Sequence, residues 1–192
     1  MKRLNILFFL RINLAKTKTV NKKRYDGDPY MEHFEIYAHK LVKFVWYNYT
    51  MHAIIKTEKG PLKVEFYEQD APNTVANFVK LAKKGFYNNL TFHRVIPDFV
   101  VQGGCPNGTG VGGPGYEIDC ELDGDNQYHD KGVLSMAHAG RNTGGSQLFI
   151  VLSRDNTAHL DGNHTCFGKV VDGIDTIEGL RQGDHFNVEI VE

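Results

Sequence analysis

Cysteine is scarce in this chain and badly placed for joint use. The 192 residues hold three, Cys105, Cys120 and Cys166, with no C-x-x-C pair among them. An odd number at these wide spacings supports neither a disulfide framework nor a cysteine zinc site, and fits free thiols in a reducing compartment. Long apolar runs are missing too, since nothing approaches the ~18 residues needed to cross a bilayer. A basic surplus is absent where most of the chain lies. From residue 51 onward 12 Lys/Arg meet 19 Asp/Glu, net −7, which argues against a nucleic-acid partner because such binding needs a basic face.

The first fifty residues lack what the rest is rich in. Of 20 glycines only Gly27 lies there, and of six prolines only Pro29, while 10 Lys/Arg against 4 Asp/Glu give net +6. Residues 34–49 crowd in six aromatics without a helical or strand period. Met1-Lys2-Arg3 and Leu4 to Leu10 imitate a secretory signal, but Arg11 cuts the apolar run short and no small-x-small cleavage site follows. The expectation is therefore a poorly specified extension over 1–50, a working domain over 51–192 that begins near Met51, and a cytoplasmic location with export as the alternative.

What the domain does have is β pattern and turns. His52 to Thr57 and Leu62 to Tyr67 flank Lys59-Gly60-Pro61 as a hairpin. Pro72 stands at a helix start, with Val75, Phe78, Val79 and Ala82 spaced i, i+3, i+4, i+7 and Gly85 as the stop. Further strands are expected at Leu90 to Ile96, Phe99 to Gln102, Gly132 to Ala137, Ser146 to Val151, Thr165 to Val171 and His185 to Val191, with a short helix over Asp172 to Leu180. Seven or eight strands, two helices and no βαβ alternation favour an antiparallel barrel or sandwich capped by helices.

Several chemistries can be weighed against this pattern. The seven glycines of residues 103–115 precede no helix, which removes the N-terminus that a phosphate loop needs. Gly162 to Lys169 misses a Walker loop by one residue and lacks its hydroxyl. His93, His138, His159 and His164 offer no i, i+4 pair, so no metal site is expected. Ser146 lacks the second glycine of a nucleophile elbow. Arg94, on a hairpin turned by Pro97-Asp98, stands beside an apolar, amide-bearing strand that ends in Gly103-Gly104; a plain surface arginine is the simpler reading of those residues alone.

Five ordered blocks add to this. They are Phe92-His93-Arg94-Val95-Ile96-Pro97-x-Phe99, Gln102-Gly103-Gly104, Gly132-x-Leu134-Ser135-Met136-Ala137, Asn142-Thr143-x-Gly145-Ser146-Gln147-x-Phe149-Ile150, and Leu160-Asp161-Gly162-x-His164-x-x-Phe167-Gly168-Lys169-Val170. From about residue 52 to the end the chain resembles the cyclophilins, peptidyl-prolyl cis-trans isomerases, in a small bacterial-type form. The resemblance implies a mainly β fold, an eight-stranded antiparallel barrel capped by two α-helices, with the active groove on its outer wall. It implies that Arg94 is the catalytic guanidinium, oriented with the substrate by Gln102. Phe99, Val100, Phe149 and Leu160 would form a proline pocket that His164 closes on one side. His93, Ala137, His138, Ala139, Gln147 and His159 would meet the peptide.

No cofactor is implied, and the expected partners are proline-containing peptides and flexible protein segments, met by a monomer. The family pattern is not matched throughout. His159 stands where many members have tryptophan, His138 where asparagine is usual, Val100 where methionine is common and Leu148 where phenylalanine is usual. The missing indole implies weak cyclosporin binding with isomerase activity retained. The competing expectation is a proline-peptide binding module or chaperone, for which an arginine aimed at the amide would be superfluous.

Overall fold

The computed structural model describes residues 51–192. Nine strands, β1 (His52–Thr57), β2 (Gly60–Phe66), β3 (Leu90–Thr91), β4 (Arg94–Ile96), β5 (Val100–Gly103), β6 (Val133–Met136), β7 (Leu148–Val151), β8 (Cys166–Asp172) and β9 (His185–Val191), form one antiparallel sheet in the order β3-β9-β1-β2-β8-β6-β7-β5-β4. Its two edge strands, β3 and β4, are linked by Phe92 and His93 alone. Three Cα steps span at most roughly 11 Å, so a sheet whose edges are tied this closely must curl round on itself.

The fold is mainly β, as expected, but with nine strands instead of eight. The extra one arises because the expected run Leu90 to Ile96 breaks in the middle. Phe92 is fully buried and stacks on Phe186 with ring centroids 4.5 Å apart, and its backbone N–H donates to the Asp184 carbonyl at 3.0 Å instead of joining a strand ladder. Three helices appear among the described residues: α1 (Pro72–Lys83), the single turn α2 (Arg154–Thr157), which runs into a 3-10 turn at Ala158–Leu160, and α3 (Thr176–Gly179). The helix expected over Asp172 to Leu180 is thus shortened at its start, where Gly173 has φ +83° and packs against the Pro61 carbonyl. The expectations for residues 1–50 lie outside the described residues.

Strand alternation sorts the apolar residues into two clusters. Leu134, Met136, Leu148, Ile150 and Val101 point inward and join Phe78, Tyr87, Phe167 and Phe186 in the main core, onto which α1 lays Val75, Phe78, Val79 and Ala82. The intervening residues Val100, Val133, Phe149 and Val151 face the other way and form a second cluster with Cys166, against which Phe99, Ala137 and Leu160 pack. β6 and β7 are buried on both faces for this reason. The second cluster is the floor of the site described next.

Candidate active site

The β4–β5 hairpin sets Arg94 directly across from Gln102, and the β5–β7 pairing sets Gln102 across from Phe149. Arg94 Nη1 donates to Gln102 Oε1 at 3.2 Å, and Gln102 Nε2 donates to Gln147 Oε1 at 3.2 Å. Gln147 Nε2 in turn donates to the Gly110 and Gly112 carbonyls at 2.8 and 2.9 Å. One chain of amides thus runs from an exposed guanidinium to two carbonyls of a glycine-rich loop. Gln147 can reach Gln102 because β5 leaves the sheet through Gly104, at φ +85°, where a Cβ would lie 2.3 Å from the Ser146 carbonyl oxygen.

Beside the guanidinium is a hollow of about 180 Å³. Phe99, Val100, Phe149 and Leu160 supply its apolar surface, and Arg94, Gln102, Ala137, His138 and His164 complete it. At about 30 Å³ per water that volume equals roughly six waters, the scale of a five-membered ring. A larger groove of about 740 Å³ adjoins it, sharing Gln102, Ala137 and His138 and extending over Ala139, Thr143, Gln147 and residues 110–117. Eleven of the thirteen residues singled out from the sequence therefore line one hollow or the other. His159 lies just behind, its ring parallel to Phe99 at a centroid distance of 5.9 Å. His93 lines neither hollow.

Two histidines make one wall. His164 Nδ1 lies 3.1 Å from the Met136 carbonyl and its ring stands edge-on to Phe149 at 5.5 Å. His138 stacks on His164 at 4.0 Å, with its Nε2 2.8 Å from the Asn163 carbonyl and its Nδ1 accepting the Gly140 N–H at 3.2 Å. Burial pushes the His164 pKa down, and the neighbouring histidines push it the same way against the Met136 bond. A neutral His164 ring therefore faces the hollow at neutral pH, across from the Arg94 guanidinium, which stays charged.

The sequence reading missed what lies beneath. His129 is fully buried and parallel to Phe149 at 5.7 Å, with Nδ1 2.9 Å from Asp161 Oδ1 and Nε2 3.0 Å from Ser135 Oγ. Arg154 grips the same carboxylate with Nη1 and Nη2 at 2.8 and 2.6 Å and holds its pKa well below the usual carboxylate range. Asp161, His129 and Ser135 follow the order of a hydrolase triad, but the Ser135 hydroxyl is fully buried and spent on the Thr165 carbonyl at 3.1 Å. The network braces the floor. His129 sits in no motif, and its partners are 6 and 32 residues away.

Comparisons with known proteins point to one family. The family model described as cyclophilin type peptidyl-prolyl cis-trans isomerase/CLD matches residues 52–191. A peptidyl-prolyl cis-trans isomerase of Synechococcus elongatus is 58% identical over 142 residues, covering 72% of this chain and 95% of the relative. Peptidyl-prolyl cis-trans isomerase B of Bacillus subtilis is 58% identical over 123 residues, covering 64% of this chain and 85% of its own. A cyclophilin type peptidyl-prolyl cis-trans isomerase of Cryptosporidium parvum, crystallised in the presence of the dipeptide Ala-Pro, superposes with a TM-score of 0.67 at 34% identity, covering 73% of this chain and 99% of that one.

Proposed function

The chain belongs to the cyclophilin-type peptidyl-prolyl cis-trans isomerases, and from that premise we propose that Arg94 is the group that lowers the rotational barrier. The reaction breaks no bond. Rotation about an Xaa-Pro amide is opposed by resonance, with a barrier of roughly 18–20 kcal/mol, and proceeds uncatalysed over tens to hundreds of seconds. In the twisted state the prolyl nitrogen regains its lone pair and turns pyramidal. A guanidinium donor beside the ring stabilises that lone pair, and an apolar slot favours the twisted amide, whose dipole is smaller than that of the planar one.

The observation that carries this reading is the placement of Arg94 at the hollow walled by Phe99, Phe149 and Leu160, with Nη1 already held by Gln102. The donor is thus oriented before substrate arrives, which is what makes a hydrogen bond effective in a transition state. The pyrrolidine ring occupies the hollow, and the peptide runs past Ala137, His138 and Ala139 into the larger groove. Exposed Xaa-Pro bonds in folding or flexible chains are the substrates.

Cyclosporin is expected to inhibit weakly. At position 159 an imidazole lies flat on Phe99 and offers less apolar area than an indole would. Inhibition at nanomolar drug would contradict this.

Arg94→Ala tests the central claim. Exchange spectroscopy on an Ala-Pro peptide should show kcat/KM lower by about 100- to 1,000-fold, the usual loss when one preorganised donor is removed. An unchanged rate would leave the arginine a surface residue.

A further inference from the structure

Among the described residues, the only buried side-chain nitrogens or oxygens without a hydrogen-bond partner are Nδ1 and Nε2 of His93. Buried polar groups are nearly always paired, so an imidazole unpaired at both nitrogens calls for an account. The fully buried His129, by contrast, is engaged at both ring nitrogens. Over the His93 ring lies Gly110, where a Cβ would come within 3.6 Å of Cδ2 and Nε2 and where φ is +84°. The carbonyl of that glycine is one of the two that hold Gln147. His93 therefore touches the amide chain at its far end while being joined by a peptide bond to Arg94 at its near end.

We propose that His93 is a positioning residue for Arg94, on which the loop of residues 105–112 closes only while the imidazole is uncharged. The proposal rests on Arg94 being the reacting group. Protonating His93 demands hydration of a ring that the loop covers, so the loop lifts and takes the Gly110 and Gly112 carbonyls from Gln147. Gln102 then loses its fixed amide orientation, and the guanidinium loses its rest.

The sign follows from the environment. Burial, and then the charge of Arg94, hold the His93 pKa below its ordinary value of about 6.5. The closed loop is therefore fully favoured above that value and loses ground as pH falls below it. Among the described residues, the one charge that acts on the ring is that of Arg94, which opposes a second positive charge. Of the titratable groups on the surrounding elements, Cys105 at the base of the loop turns its Sγ to the Val111 carbonyl at 3.4 Å. On the segment that bonds the Phe92 backbone, Asp184 Oδ2 accepts the Arg181 backbone N–H at 2.9 Å, and His185 Nδ1 lies 3.3 Å from the Asn89 carbonyl.

The test follows the full chain by NMR from pH 8 to pH 5, reading the His93 ring, the Gly110 and Gly112 amides and the Gln147 side-chain amide. A common midpoint below the ordinary histidine value is expected. kcat/KM on an Ala-Pro peptide, measured by exchange spectroscopy, should fall with the same midpoint, by up to about tenfold per pH unit. In His93→Phe the loop signals should no longer titrate with that midpoint, whatever the rate at pH 8. Loop signals indifferent to the wild-type His93 midpoint, or still titrating in His93→Phe, would overturn the proposal. If the variant does not fold, the wild-type titration decides alone. An Arg94→Ala rate equal to wild type would instead remove the role given to Arg94 and leave the loop titration standing.

Discussion

Gln147 uses both ends of one carboxamide, accepting from Gln102 and donating to two loop carbonyls, and no other side chain of its length can do both. Gln147→Glu keeps the shape but turns a carboxylate oxygen toward the Gly110 and Gly112 oxygens. Gln147→Ala merely leaves a gap that water can enter. Both should lower kcat/KM, the alanine by about tenfold, as expected for roughly 1.5 kcal/mol of lost hydrogen bonding, and the glutamate by more. Exchange spectroscopy would settle the order, and a glutamate variant as active as wild type would show that the loop carbonyls do not matter. Beneath the hollow, Asp161 contributes stability of a pH-dependent kind. Its pKa is depressed, chiefly by the Arg154 bonds, so its contribution is fully present above the ordinary carboxylate value of about 4 and is lost as pH falls through the lowered one. With Arg154 partly exposed, Asp161→Asn should cost about 1–2 kcal/mol at pH 7, a fall of about 3–6 °C in Tm, and clearly less at pH 2, where part of the contribution is already lost. Thermal melts at the two pH values would measure it. The residues of the rim were legible because they fall in compact sequence blocks, whereas His129 and Arg154 act through partners that only folding brings near.

At the scale of elements, α1 begins without a cap of its own: Ala71 occupies the N-cap and offers no side-chain acceptor. The cap is supplied by Glu121, from nearly fifty residues away. Its Oε1 accepts Asn73 N and Nδ2 at 3.0 Å each, and its Oε2 accepts Thr74 N and Oγ1 at 2.8 Å each. A carboxylate there satisfies free N–H groups and meets the positive end of the helix dipole. Glu121→Ala should therefore destabilise by about 1–2 kcal/mol, with Tm falling by about 3–6 °C and activity kept at 25 °C, while Glu121→Gln should recover part of the loss. Thermal unfolding of the two variants is the check. The helix itself was legible from Pro72 and its apolar stripe, because twelve residues give the 3.6 period room to declare itself. Likewise β1 and β9 stand where strands were expected from the β-rich runs His52 to Thr57 and His185 to Val191. Four-residue α2 has no period to read, and the break at Phe92 depends on an aromatic partner, Phe186, that no local pattern reveals.

For the molecule as a whole, the decisive pairing is β1 between β2 and β9, which joins the start of the described chain to its end. The sheet cannot curl until that last strand returns, so folding of everything between waits on contacts of very long sequence separation. Two consequences differ sharply. A protein starting at Met51 keeps every strand pairing described here, and the family match begins at residue 52. It should melt cooperatively and isomerise an Ala-Pro peptide at the rate of the full chain. A protein starting seven residues later, at Glu58, loses β1 and with it both ladders of six paired residues, exposing Ala53 and Ile55's places in the core and leaving β2 and β9 each with an unpaired edge. That protein should fail to fold. Circular dichroism melts and exchange spectroscopy on the two truncations would check both outcomes together. A loss of activity on removing residues 1–50, with the melt unchanged, would mean that the extension contributes to the reaction itself and that the domain boundary read from the shift in glycine and charge is drawn in the wrong place.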